Sequence, residues 1–273
     1  MKKIKILDST FSHSHLGYCS DFQTSEYFEW DRTQSDSKDI LVVTDNKLKS
    51  SDNIDSKKIA WLIEPVCISP STYSYIEENF KKFDYVLTHD KKLLDLGNNF
   101  NFVPFGCCWV EKDDRKIHQK SKNISIISSE KKNTEGHLMR HEVIKKFGNL
   151  FDVYGRGYTS IDKKILGLKD YRYSIVIENC KRDYWFTEKL IDCFTTGTIP
   201  IYWGCPSIAD FFDVNGILTF DNLDELENIL KICDENHYQK VQKSVFNNFI
   251  KSSEYLLPDN FVYNFIEKNY EFN

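Results

Sequence analysis

Three positions in this 273-residue chain combine a charged side chain with a backbone setting that could put it to use. Lys189 stands in the first turn of a predicted helix, beside Glu188 and just after Thr187. A cation there opposes the positive end of the helix dipole, at a cost of a few tenths to about 1 kcal/mol. A bound anion would reverse that penalty, because a helix N-terminus joined to an ammonium is a phosphate-binding device. Pairing with Glu188 or another acid, or plain exposure to solvent, would account for Lys189 equally well. Arg156 lies between Gly155 and Gly157, which would let backbone approach a ligand while the guanidinium reaches it. An ordinary turn is the alternative. Glu64 ends the apolar run 59–63 and precedes Pro65, which keeps its backbone extended and leaves its carboxylate at the rim of a sheet.

The elements around Lys189 can be read from spacing. Residues 174–177 predict a strand buried on both faces, with Glu178 and Asn179 at its C-terminal end, where open α/β sheets collect ligands. Thr187 is a good N-cap; Leu190, Cys193 and Phe194 follow at helical spacing, so a helix runs to about Thr196 and Gly197 ends it. Residues 199–203 make the next strand. A strand–loop–helix–strand unit implies parallel pairing with a right-handed crossover.

Upstream, strands are expected at 3–7, 40–43, 59–63, 83–88 and 101–103, with helices at 71–82 and 89–96. The segment 111–122, polar apart from Ile117, reads as a linker. Beyond it come strands at 123–128, 151–154 and 217–220. Helices follow at 137–147 (Leu138, Val143, Ile144 and Phe147 inward), 223–233, 238–250 and 261–270. Two α/β domains, 1–115 and 116–273, are expected.

Composition narrows the function. Hydrophobic residues at 41% exclude a mainly disordered chain. A net charge of −5 argues against nucleic acid and anionic membranes, so any phosphate site must be local. The 20 Phe, 15 Tyr and 5 Trp suit a carbohydrate binder or simply large cores. No run approaches a membrane span, which leaves peripheral membrane contact open, and Met1–Lys5 is not followed by a signal-like apolar segment. The eight cysteines form no C-x-x-C pair and predict reduced thiols in a cytoplasmic protein. His13 and His15 lack the acids or cysteines that would complete a metal site, so no metal is expected. No G-x-x-x-x-G-K-S/T is present, which removes a P-loop phosphotransferase.

Glu178-Asn179, then Thr187-Glu188-Lys189-Leu190, then Gly197-Thr198-Ile199-Pro200-Ile201-Tyr202-Trp203-Gly204 resemble the donor-binding signature of family 10 glycosyltransferases, the α-1,3/1,4-fucosyltransferases. The resemblance is to the soluble bacterial or viral kind. It implies a GT-B architecture, two Rossmann-like domains facing across a cleft, with donor on the second and acceptor on the first. It also implies inverting, metal-independent transfer of a sugar, first GDP-fucose, onto a glycan hydroxyl, with no cofactor. By the same resemblance Lys189 and Arg156 contact the diphosphate, and Glu188 lies near the donor sugar and ribose. Glu64 would be the base, with a capped or salt-bridged rim carboxylate as its alternative, and Glu178 and Asn179 shape the nucleotide pocket. The sequence departs from the family where Trp185-Phe186 replaces Tyr-Val, so that a tyrosine hydroxyl contact is lost or is supplied by Tyr184, and where Ile-Glu-Asn replaces Phe-Glu-Asn. Another nucleotide sugar such as a UDP-sugar therefore stays open. So does a non-catalytic nucleotide- or glycan-binding protein, although the presence of Glu64, Glu188 and Lys189 together argues against it.

Overall fold

The computed structural model describes residues 1–8, 24–33 and 40–270; His13, His15 and Cys19 lie outside them. The chain divides into two compact units, residues 1–105 with 257–273, and residues 106–256. Each is built on one wholly parallel sheet.

Unit 1 contains β1 (Lys2–Leu7), β2 (Phe28–Asp31), β3 (Leu41–Thr44), β4 (Lys58–Trp61), β5 (Tyr85–Thr88) and β6 (Phe100–Phe102), in the order β2-β1-β3-β4-β5-β6. Val42, Val43, Ile59, Ala60, Val86 and Leu87 are all fully buried, so the middle strands are covered on both faces, as parallel sheets require. The helix α1 (Pro70–Asn79) starts on a proline that its first turn tolerates and contributes Tyr73 and Ile76 to the core; α2 (Lys91–Leu94) adds Leu93. The sequence reading missed β2. Its signal was the alternation of Phe28 and Trp30 with Glu29 and Asp31, which pairing with β1 turns into two buried aromatics.

Unit 2 runs β7 (Lys122–Ile127), α3 (Glu135–Phe147), β8 (Asp152–Tyr154), β9 (Tyr171–Ile177), α4 (Glu188–Thr195), β10 (Ile199–Trp203), β11 (Leu218–Thr219), α5 (Leu223–Ile232), α6 (Glu235–Lys240) and α7 (Gln242–Ser252). Its sheet order is β11-β10-β9-β7-β8. The parallel crossover expected from β9 through α4 to β10 is present, and Gly197 sits in the left-handed region (φ 70) just past the helix. Leu138, expected inside, is half exposed, whereas His137 and Arg140 of the same helix are buried. The reason is what α3 faces. Its first turn abuts the end of β9, where the Gly136 amide donates to the Asn179 carbonyl at 3.0 Å. The inward positions there meet polar backbone rather than core.

The segment 111–122 is not a free linker. Cys107, Cys108 and Val110 are buried within unit 2, and the His118 amide donates to the Thr196 carbonyl. The Lys120 ammonium lies within 2.8–3.3 Å of the Leu168, Lys169 and Thr196 carbonyls and of Thr198 Oγ1. Polar composition misled because this lysine is satisfied inside the fold rather than by water. The division falls after residue 105, not 115, and the last helix, α8 (Pro258–Asn269), belongs to unit 1. Its Val262 and Ile266 are fully buried, Tyr263 stacks on Phe28, and Asp259 accepts the Trp30 indole N–H at 2.5 Å. No helix among the described residues is long and apolar enough to cross a membrane.

Candidate active site

Ligands of open α/β sheets gather outside the C-terminal strand ends where the strand order reverses. In unit 2 that point lies between β7 and β9. A cavity of about 210 Å³ is found there, walled by the ends of these two strands and charged by Arg140, Lys164, Glu188, Lys189 and Asp192.

The start of α4 is built around Glu178, which is fully buried. Its Oε1 accepts the Thr187 amide at 2.8 Å and its Oε2 accepts the Thr187 hydroxyl at 2.8 Å. Thr187 in turn caps the helix by accepting the Lys189 amide at 3.4 Å. The Lys189 ammonium lies 3.2 Å from Glu178 Oε2, 3.0 Å from Thr187 Oγ1 and 3.5 Å from Glu188 Oε1. Pairing with acids, one of the alternatives its position allowed, is therefore what the structure shows, and Lys189 also lines the cavity.

A second cation stands behind Glu188. Lys164 Nζ is 3.3 Å from Glu188 Oε1 and 3.2 Å from Asp192 Oδ2, and it lies 4.9 Å over the Trp109 ring. Asp192 Oδ1 accepts the Trp109 amide at 2.6 Å. Burial pushes the Glu188 carboxyl up, but Lys189 and Lys164 outweigh it and hold the group well below the usual carboxylate range. Burial works against the Lys164 charge too, and there Glu188 and Asp192 prevail, so its proton is held more tightly than usual. For Asp192 burial wins over Lys164, and its carboxyl is raised.

Arg140 is held differently. Its Nε and Nη2 donate to the Ile177 carbonyl at 2.9 and 2.5 Å, and Nη2 also reaches Asn179 Oδ1 at 3.0 Å. Burial is the chief force on its pKa and lowers it; the charges of Glu178 and Glu188 oppose that shift. Yet Arg140 makes no ion pair with a described residue, so neutral oxygens hold a buried cation beside an open cavity. Sequence reasoning missed both Arg140 and Lys164; the first sat on a helix read as core, the second in a polar stretch before a strand.

The other expected site residues of unit 2 are spread over different surroundings. Asn179 holds Arg140 and, through its carbonyl, the start of α3. Trp185 is buried in unit 2 and does not line the cavity. Tyr184 takes a left-handed backbone (φ 62) and packs edge-on against Phe211. Arg156 is exposed and is also absent from the cavity wall. Its loop does pack close by, since a Cβ on Gly155 would stand 1.9 Å from the Ser128 carbonyl oxygen.

In unit 1 the strand order reverses between β1 and β3. Asp45 follows β3 directly, and half-buried Glu64 lies just beyond β4. The Glu64 carbonyl accepts the Tyr73 hydroxyl at 3.2 Å, and His89 Nε2 lies 3.2 Å from the Ile63 carbonyl. The Ile63 amide donates to Asp45 Oδ1 at 2.9 Å. Asp45 also went unnoticed in the sequence, although an acid just past the apolar run 41–43 and Thr44 is a strand-end signal of the same kind as Glu64.

Residues 117–248 match the profile of glycosyltransferase family 10 (fucosyltransferase), C-terminal part. Unit 2 is a family 10 glycosyltransferase domain. An α-(1,3)-fucosyltransferase of Helicobacter pylori is 33% identical over 79 residues, which are 29% of this chain and 16% of that protein. The chain also superposes on a crystal structure of an α1,3-fucosyltransferase with GDP-fucose, with a TM-score of 0.57 at 17% identity, covering 100% of this chain and 92% of the other. A UDP-forming α,α-trehalose-phosphate synthase from Burkholderia xenovorans gives a TM-score of 0.59 at 8% identity, over 85% and 74% of the two chains. The architecture is GT-B, and its fold alone does not choose between the nucleotides.

Proposed function

We propose that the protein transfers fucose from GDP-fucose to a hydroxyl of a glycan, inverting the anomeric centre and using cationic side chains instead of a metal ion for the diphosphate. The observation that carries this reading is Arg140, a buried guanidinium without a carboxylate partner among the described residues, set with Lys189 at the start of α4 in a family 10 domain. A diphosphate would supply the counter-charge that Arg140 lacks. Lys189 would exchange its long contacts with Glu178 and Glu188 for phosphate oxygens, while Glu178 keeps Thr187 and the helix start in place. Glu188, kept ionised by Lys164, would face the positive charge that develops at the sugar's anomeric carbon. We assign Glu64 of unit 1 as base: the acceptor oxygen bonds to that carbon, the carbon–phosphate oxygen bond breaks with its electron pair leaving on GDP, and the hydroxyl proton passes to Glu64.

The assignment of donor nucleotide rests on the family profile, since the fold is shared with a UDP-forming enzyme. Unit 1 would hold the acceptor, and seven described cysteines without a disulfide fit a cytoplasmic, reducing setting. Calorimetric titration with GDP, UDP and CDP in the presence of EDTA tests the site: GDP binds tightest and EDTA leaves binding and transfer unchanged. Tighter binding of UDP would replace the donor, activity lost in EDTA and restored by Mn²⁺ would end the metal-free reading, and a product of retained configuration by NMR would end inversion.

A further inference from the structure

The rim of unit 1 holds a second acid that the transfer reaction, as described so far, does not use. Asp45 is 3% exposed, directly follows β3, and so lies beside the place where the strand order reverses. Its backbone is in the left-handed region (φ 37), uncommon for a residue with a Cβ and a mark of functional positions when the surroundings enforce it. Oδ1 accepts the Ile63 amide, the Glu64 amide lies by the same carboxyl and favours its ionised form, and Oδ2 has no hydrogen-bond partner among the described residues. A buried carboxylate left this way carries a desolvation cost that a purely structural turn would avoid with asparagine.

We propose that Asp45 is a positioning residue for Glu64: its buried carboxyl fixes the backbone from which Glu64 projects and sets the charge against which Glu64 works. The inference rests on the reading of Glu64 as base. Three other titratable groups gather at this rim, Glu64, His89 and Tyr73, and Glu64 is the one whose charge bears on Asp45. Burial pushes the Asp45 carboxyl up to about 7, and Glu64 adds to that rise against the pull of the Ile63 amide. Below that pH Asp45 is a neutral clamp. Above it Asp45 becomes an anion next to Glu64, which makes Glu64 the stronger base.

The test is carboxyl ¹³C NMR of the full chain labelled at aspartate, with the Asp45 signal identified by its loss in Asp45→Asn. Asparagine adopts a left-handed backbone as readily as aspartate and can still accept the Ile63 amide, so this variant keeps the fold, which a thermal melt checks. Asp45 titrates near 7 in the parent, and Glu64→Gln lowers that midpoint by about half a unit or more. GDP released from GDP-fucose gives the kinetic arm. The parental rate has an inflection near neutrality that Asp45→Asn removes, with the donor KM unchanged. An Asp45 midpoint in the ordinary aspartate range, one that ignores Glu64→Gln, or an Asp45→Asn rate profile identical to the parent's overturns the proposal. Release of GDP by Glu64→Gln at the parental rate, with the NMR coupling intact, would instead sink the base assignment on which it rests.

Discussion

Both sheets reverse their strand order once, between β1 and β3 in unit 1 and between β7 and β9 in unit 2, and the groups collected there differ: cations interleaved with carboxylates in unit 2, acids in unit 1. At the unit 2 reversal, Arg140, Lys164 and Lys189 come together with carboxylates that hold two of them, and the third cation rests on neutral oxygens. At the unit 1 reversal and the strand beside it stand Asp45 and Glu64. One end suits a group that leaves with negative charge, the other a proton that must be taken up. The shared strand order supplies the place, and the residues just past the strand ends decide its chemistry.

If the division of labour holds, a change on the acidic side affects turnover and spares nucleotide binding. Glu64→Gln is expected to lower transfer by roughly 10²–10⁴-fold, the usual worth of a general base, with the GDP affinity measured by calorimetry unchanged. Near-parental turnover would break the comparison at its acidic end.

On the cationic side the largest effect should be on stability. Lys164→Met leaves buried Asp192 and half-buried Glu188 without their shared ammonium, and breaking a buried pair from one side costs about 3–5 kcal/mol. Denaturant unfolding measures it, and adding Asp192→Asn to the variant should recover part of the loss. Lys189→Ala is aimed at the ligand, since Glu178 keeps the Thr187 amide and hydroxyl. It should cost about 1.5–3 kcal/mol of GDP binding, the worth of a charge-assisted hydrogen bond. The smallest effect belongs to Arg156→Ala, where GDP binding should change by less than about 0.5 kcal/mol, as for an exposed side chain away from specific contacts. A loss as large as that of Lys189→Ala would restore Arg156 to the diphosphate site.

The cationic end was partly legible in the sequence because local rules govern it. Thr187 as cap, Lys189 in the first helical turn and Gly197 past the last one are written in adjacent residues, and they fixed β9, α4 and β10 closely. Arg140 and Lys164 were not legible. Each reaches the cavity only because α3 docks on the end of β9 and because the turn at 164–167 lies beside α4, and neither contact has a sequence spacing to betray it. Lys120 failed for a related reason: a lysine in a polar run reads as solvated until three carbonyls from two other segments close around it. Leu138 shows the converse, an apolar residue at the right period on a helix whose first turn meets backbone.

The return of α8 to unit 1 has a consequence for how the protein comes into being. Unit 2 is one continuous stretch, 106–256, whereas unit 1 is interrupted by it and completed by 257–273. During vectorial synthesis the amino-terminal half must therefore wait. Phe28 and Trp30 lack Tyr263 and Asp259 until all of unit 2 has emerged, and Val262 and Ile266, each worth about 1.5–3 kcal/mol when buried, arrive with them. A nascent chain stalled after 256 would expose a finished unit 2 tethered to a half-built partner, and a synthetic 257–273 peptide added in trans is the fragment that could complement it.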